Sequence, residues 1–129
     1  MTRAVAPFTL DVTSFEQPYA TRDGVDYARA HFDKTFHGDL EASSSVEMLF
    51  VTAEAGRGYV ALETIDGSLG GRTGTFALLH CGTMAGDDVW ATWPIVAGSG
   101  TGGLAGITGE ARIDIADDGA HTLVLDYEL

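Results

Sequence analysis

The chain holds a single cysteine, Cys81, so no internal disulfide can staple it and its 129 residues must hold together by burial. A domain of this size removes roughly 68% of its unfolded surface from water, which is enough to fold without covalent help. Basic residues are also scarce. Seven Lys and Arg stand against 19 Asp and Glu, and the formal net charge of -12 repels phosphate backbones and anionic membrane surfaces. Neither nucleic acid nor a membrane is an expected partner, and the acidity reads first as a source of solubility. No window approaches the roughly 20 consecutive apolar residues of a spanning helix, and no basic segment followed by an apolar stretch marks a signal peptide. The expected compartment is the cytoplasm. Apolar residues at three-and-four spacing over ten or more positions are missing too, so no helix is expected. With 45% hydrophobic and 20% charged residues the chain is too apolar for disorder, and residues 1–129 read as one globular domain without internal repeats.

What the chain does have is glycine, 17 of them, concentrated at positions 67–82 and 98–109. Between the glycines run short apolar segments with period-two alternation, the mark of half-buried strands. Eight such segments are expected, near residues 8–13, 27–36, 46–53, 59–65, 72–83, 89–96, 111–116 and 121–127. Asp-Gly and Gly-Gly pairs between them suit tight hairpins, since both tolerate positive φ. The expected fold is all-β, an eight-stranded antiparallel barrel of the calycin-like kind, in which glycine supplies turns, bulges and corners. Residues 98–109 lack the Gly-Lys-Ser/Thr ending of a phosphate loop and precede a strand, so they read as a barrel corner.

Parity assigns the faces. Any two-residue hairpin pairs positions whose numbers sum to an odd value, so a turn at either Asp66-Gly67 or Gly70-Gly71 places Tyr59, Ala61, Glu63 and Ile65 on one face with Arg72, Phe76, Leu78 and His80. A three-residue loop would invert the assignment. A turn at Ala55-Gly56 adds Val46, Met48, Phe50 and Thr52 to the same face, which resembles the lining of a binding cavity. The opposite face, with Leu49, Val51, Val60, Leu62, Ala77, Leu79 and Cys81, is too apolar to be left in water. It predicts a homo-oligomer, dimer or trimer, with the outer wall in the interface, unless loops cover the patch.

Several motifs carry a resemblance: Gly-Asp-Leu-Glu-Ala from position 38, Tyr-Val-Ala-Leu-Glu from 59, Gly-Ser-Leu-Gly-Gly-Arg-Thr-Gly-Thr-Phe from 67, His-Cys-Gly-Thr-Met from 80 and Gly-Ser-Gly-Thr-Gly-Gly-Leu-Ala-Gly from 98. Together they resemble a family of small bacterial proteins of unknown function, over residues 8–129. That family is similar in fold to the allene oxide cyclase and dirigent barrels, whose glycine signature is echoed by Gly-Thr-Gly-Gly-Leu-Ala-Gly from position 100. The resemblance implies an eight-stranded barrel with a central cavity, often oligomeric, without metal or organic cofactor. Cyclases of that kind close a fatty-acid-derived epoxide, and dirigent proteins steer radical coupling. Their cavity residues do not map onto this chain position by position.

The candidate catalytic cluster is Glu63, His80 and Arg72, in which Glu63 or His80 moves a proton and Arg72 stabilises a developing oxyanion. The same groups also make sense as a structural ion pair. Tyr59, Phe76, Met48, Phe50 and Trp93 are the expected ligand-binding residues, although aromatic side chains serve core packing equally well. Lys34 interrupts the apolar side of its strand, either as a buried amine or as a long side chain that snorkels to solvent. The four histidines, His31, His37, His80 and His121, lack His-x-His or His-x-x-x-His spacing, and no metal is expected. Cys81 directly follows His80, so on a strand the two point to opposite faces and cannot form a nucleophile-base pair. The resulting expectation is a cofactor-free barrel enclosing a small, largely apolar molecule, with cyclisation or isomerisation as its possible chemistry. The alternative is a non-catalytic structural or protein-interaction barrel with a filled core.

Overall fold

A computed structural model describes residues 1–15 and 18–129. The strands are β1 (Thr2–Phe15), β2 (Ala20–Arg22), β3 (Val25–Phe36), β4 (Leu40–Thr52), β5 (Arg57–Leu69), β6 (Arg72–Ala85), β7 (Asp88–Pro94), β8 (Thr108–Ile115) and β9 (His121–Glu128). One 3-10 turn, Gly102–Leu104, is the sole helical element among the described residues. Every ladder is antiparallel, in the order β1-β9-β8-β7-β6-β5-β4-β3-β2. The long β1 closes the ring: its first half pairs with β9 from Thr2 to Phe8, and its second half pairs with β3 from Phe8 to Phe15. Short β2 continues along the same edge of β3, so the molecule is a closed eight-stranded antiparallel barrel with no free edge there.

The hairpin between β5 and β6 turns at Gly70 and Gly71, both at positive φ (58° and 81°), a backbone open to glycine and strained for most side chains. Asp66 and Gly67, the other expected turn, lie inside β5. Leu69 therefore pairs with Arg72, Ile65 with Phe76, Glu63 with Leu78 and Ala61 with His80, so the parity argument holds along the whole ladder. The ladder between β4 and β5 adds Val46, Met48 and Phe50 opposite Glu63, Ala61 and Tyr59.

The interior is filled at one end and hollow at the other. Phe36, Leu40, Ile65, Leu69, Phe76, Leu78, Leu123 and Leu125 are each 1% exposed or less and pack as one cluster. Each such side chain contributes about 1.5–3 kcal/mol of burial. The seam between β7 and β8 consists of only two register pairs, Trp93–Ala111 and Pro94–Glu110. The glycine-rich segment after β7 completes the barrel beside it. Thr101 exchanges backbone and side-chain hydrogen bonds with Thr75, Ser99 Oγ accepts from the Ala77 N–H, and Leu104 and Ile107 enter the core fully buried. The expected corner is thus also a plug for the filled end. It runs along the edge of β6 that β7 leaves unpaired, while Leu49, Val60 and Leu62 stay 44%, 44% and 57% exposed on β4 and β5.

Candidate functional site

The hollow end is a cavity of about 690 Å3, within the roughly 300–1,000 Å3 of small-molecule sites. Small inward residues, Ala61, Gly82 and Ala91, make the room. Gly82 is required for a second reason: a Cβ there would stand 2.7 Å from Tyr59 Cε1, so only glycine lets the phenol ring lie flat against the β6 wall. Phe8, Phe32, Val46, Met48, Phe50 and Ile113 supply apolar lining. The mouth carries Met84, Val89, Trp90 and Ile115, all strongly exposed for side chains of their size.

A buried polar cluster stands where hollow and filled halves meet. Glu63, 1% exposed on β5, accepts at Oε1 from Lys34 Nζ on β3 (3.1 Å) and His80 Nε2 on β6 (2.7 Å), and at Oε2 from Ser44 Oγ on β4 (2.5 Å). Four strands thus deliver one side chain each, because register sets Lys34 opposite Ser44, Val46 opposite Glu63 and Ala61 opposite His80. Lys34 and His80 belong to the cavity wall, and Glu63 lies behind them. Lys34 Nζ is also 4.7 Å from the centre of the Phe8 ring, a cation–π contact that eases burial of the charge.

Burial alone pushes the Glu63 carboxyl up, and this is the largest single influence on it. The His80 hydrogen bond, the Lys34 charge and the Ser44 hydroxyl together outweigh it, and the carboxyl stands below its ordinary value. Glu63 is therefore ionised and can only accept, so His80 Nε2 carries the donated hydrogen and Nδ1 is the ring nitrogen left over. Burial raises the Tyr59 phenol against an opposing pull from Trp93. The contact between those two falls short of hydrogen-bond geometry, and the Trp93 indole N–H is buried without an acceptor among the described residues. Trp93 meets the His80 ring edge-on, with centroids 6.4 Å apart.

Of the expected site residues, Glu63 and His80 are brought into contact, and Tyr59, Met48, Phe50 and Trp93 line the cavity. Two fall elsewhere. Arg72 shares the inward parity but opens β6 at the opposite end of the barrel, exposed, six residues from Leu78 and so about 20 Å along the strand. Phe76 is 1% exposed within the filled half. The cation beside Glu63 is Lys34, which the sequence marks as a charge on an otherwise apolar strand face. Ser44 and the cavity-lining His121 have no comparable sequence signal, since each becomes notable only once β4 and β9 are closed into the barrel. Cys81 points outward, away from His80, and is partly exposed.

A closed barrel, packed at one end and hollow at the other, with an ionised carboxylate cluster on the cavity floor, defines the structural class. The chain belongs to DUF3224, a family of proteins of unknown function whose model matches residues 4–127. It is similar to a crystal structure of a protein of unknown function from that family in Shewanella oneidensis MR-1, with 37% identity and a TM-score of 0.91 over 100% of this chain and 97% of the other. No curated protein matches the sequence. Among the described residues no helix is long and apolar enough to cross a membrane.

Proposed function

We propose that the protein binds a small, largely apolar molecule inside its barrel. The observation that carries this reading is the 690 Å3 cavity between an exposed apolar mouth and a buried polar floor. A barrel serving only as a structural module gains nothing from leaving this volume unfilled, because each missing contact in an apolar interior costs stability. Eight strands can be filled completely by side chains, and the other half of this barrel is. Small residues at Ala61, Gly82 and Ala91 are the means by which the hollow half escapes filling. The sequence resemblance, which implies a barrel like those of allene oxide cyclases and dirigent proteins, fits a cavity of this kind, and the reading takes no residue role from them.

Thermal unfolding against a panel of uncharged bicyclic and aliphatic compounds tests it. A ligand at a hundred times its Kd raises stability by about 2.7 kcal/mol. The expected result is dose-dependent stabilisation by some members of the panel that disappears in Ala61→Leu, a variant that fills the cavity floor. A panel without effect on the wild-type protein rejects cavity binding.

A further inference from the structure

Three features of the cavity floor specify the chemistry of its occupant beyond size and apolarity. First, Lys34 faces the cavity as a donor with hydrogens to spare. Lys34 has three N–H groups and one acceptor among the described residues, Glu63. A ligand seated there is matched by an oxygen that accepts. Second, the charge of Lys34 is already balanced by Glu63 at 3.1 Å. A carboxylate ligand would set two buried anions against one ammonium, so the accepting oxygen belongs to a neutral group. Third, His80 donates from Nε2 to a buried carboxylate, which orients the ring and leaves Nδ1 as a lone-pair base on the cavity side.

We propose that the cavity takes a neutral ketone, saturated or β,γ-unsaturated, with its carbonyl oxygen on Lys34 and an α-carbon beside His80, and that the pair exchanges its α-proton through the enolate or shifts its double bond. His80 Nδ1 removes the α-proton. The broken C–H bond leaves its electron pair as the new C=C bond, and the carbonyl becomes an enolate oxygen held by the Lys34 ammonium. The proton then returns from His80 to the α-carbon or, in a β,γ-unsaturated ketone, to the γ-carbon, which brings the double bond into conjugation. Nothing is oxidised or reduced and no co-reactant enters. Glu63 is a positioning residue: it fixes the His80 tautomer, balances the imidazolium while the proton is held, and anchors Lys34. The dry walls around Met48 and Phe50 exclude water, which strengthens the ammonium's hold on the developing charge.

This inference rests on the cavity-binding reading, and 2-tetralone with its hydrocarbon analogue tetralin separates the two. In D2O, proton NMR follows loss of the ketone's α-hydrogens, and saturation-transfer difference spectra follow binding. The expected result is that tetralone binds at least fivefold tighter than tetralin, and that wild-type protein exchanges its α-hydrogens at least tenfold faster than His80→Asn, which still binds within threefold. Lys34→Met, checked for folding by circular dichroism, is expected to lose both the preference for the ketone and the exchange. Should that variant fail to fold, the His80→Asn comparison decides alone, because it leaves the Lys34–Glu63 pair in place. If tetralone binds the wild type but not Ala61→Leu, and exchanges no faster with the wild type than with His80→Asn, proton transfer is overturned while cavity binding stands. Equal affinity for tetralin and tetralone overturns carbonyl recognition. Absence of binding by either compound overturns both readings together.

Discussion

Lys34 and His80, carried by strands β3 and β6, converge on a single oxygen, Oε1 of Glu63, at 3.1 and 2.7 Å. Two donors on one buried acceptor make that oxygen the point on which the polar cluster depends. Replacing Glu63 by Gln keeps the shape but leaves the Lys34 ammonium buried without a counter-charge, a change that costs about 3–5 kcal/mol when one partner of a buried pair is removed. The double variant Lys34→Met/Glu63→Gln removes charge and counter-charge together and is expected to be less destabilised than Glu63→Gln alone. Urea denaturation of the wild type, both single variants and the double variant yields the coupling. Additive costs would mean that the two groups stabilise the fold independently.

The acid limb of stability follows from the same carboxylate. Its folded value lies below the ordinary 4.5, with burial the largest influence but outweighed by His80, Lys34 and Ser44. A group depressed on folding adds stability above its unfolded value and loses it as the pH falls through the folded one. The Tm is therefore expected to hold above about pH 5 and to fall below 4.5 as Glu63 takes up a proton. Asp126 beside Arg3, and Glu41 held by the Gly38 N–H and His37, act in the same direction from exposed positions. Circular dichroism melts between pH 3 and 6 check this, and Glu63→Gln is expected to flatten the profile. An unchanged slope in that variant would assign the acid limb to the surface carboxylates.

Period-two alternation and glycine punctuation sufficed to read the eight barrel strands, because both follow from local backbone chemistry, but the short β2 and the first residues of β1 escaped them. Faces were equally legible, since hairpin parity passes from one strand to the next: Glu63 and His80 meet as the pairing of Ala61 with His80 requires. Depth along the barrel was not legible. Parity puts Arg72 and Phe76 on the inner face, but only strand tilt and closure decide which end of the cylinder is hollow, and both residues sit at the filled end. Lys34 illustrates the complementary gap. A charge on an apolar strand face can snorkel or be buried, and the choice rests on Glu63, 29 residues away. The plug formed by Leu104 and Ile107 was hidden for a similar reason, because it fills a seam that exists only once β7 and β8 fail to pair further.

Gly82 controls the cavity through Tyr59. A methyl group there would meet the ring at 2.7 Å and the Trp90 carbonyl oxygen at 3.1 Å, so the ring must swing into the cavity. Gly82→Ala is expected to abolish stabilisation by hydrophobic ligands while lowering the Tm only modestly, because the nearest obstacle is a side chain that can move. Gly67→Ala supplies the contrast, with backbone atoms of Glu41 and Ala42 at 2.2 and 2.5 Å. There the strands themselves must separate, and a loss of several kcal/mol is expected. Melting curves of both variants, with and without ligand, distinguish a lost cavity from a damaged barrel.

The outer wall presents the last test. Leu49, Val60 and Leu62 are mutual neighbours on β4 and β5, all more than two-fifths exposed, around a shallow groove of about 350 Å3 whose edge carries Arg29 and Glu47. Apolar side chains clustered at this density, with opposite charges at their margin, suit contact with a second copy of the chain, in which Arg29 of one copy meets Glu47 of the other around a two-fold axis. Size-exclusion chromatography with light scattering is expected to report a dimer for the wild type and a monomer for Leu62→Lys. That substitution puts an ammonium at the centre of the patch, where it would face its own symmetry mate at the cost of desolvation and repulsion. The barrel itself should be indifferent, since position 62 points outward and contributes nothing to the core. A monomeric wild type would instead show that these side chains are simply solvated.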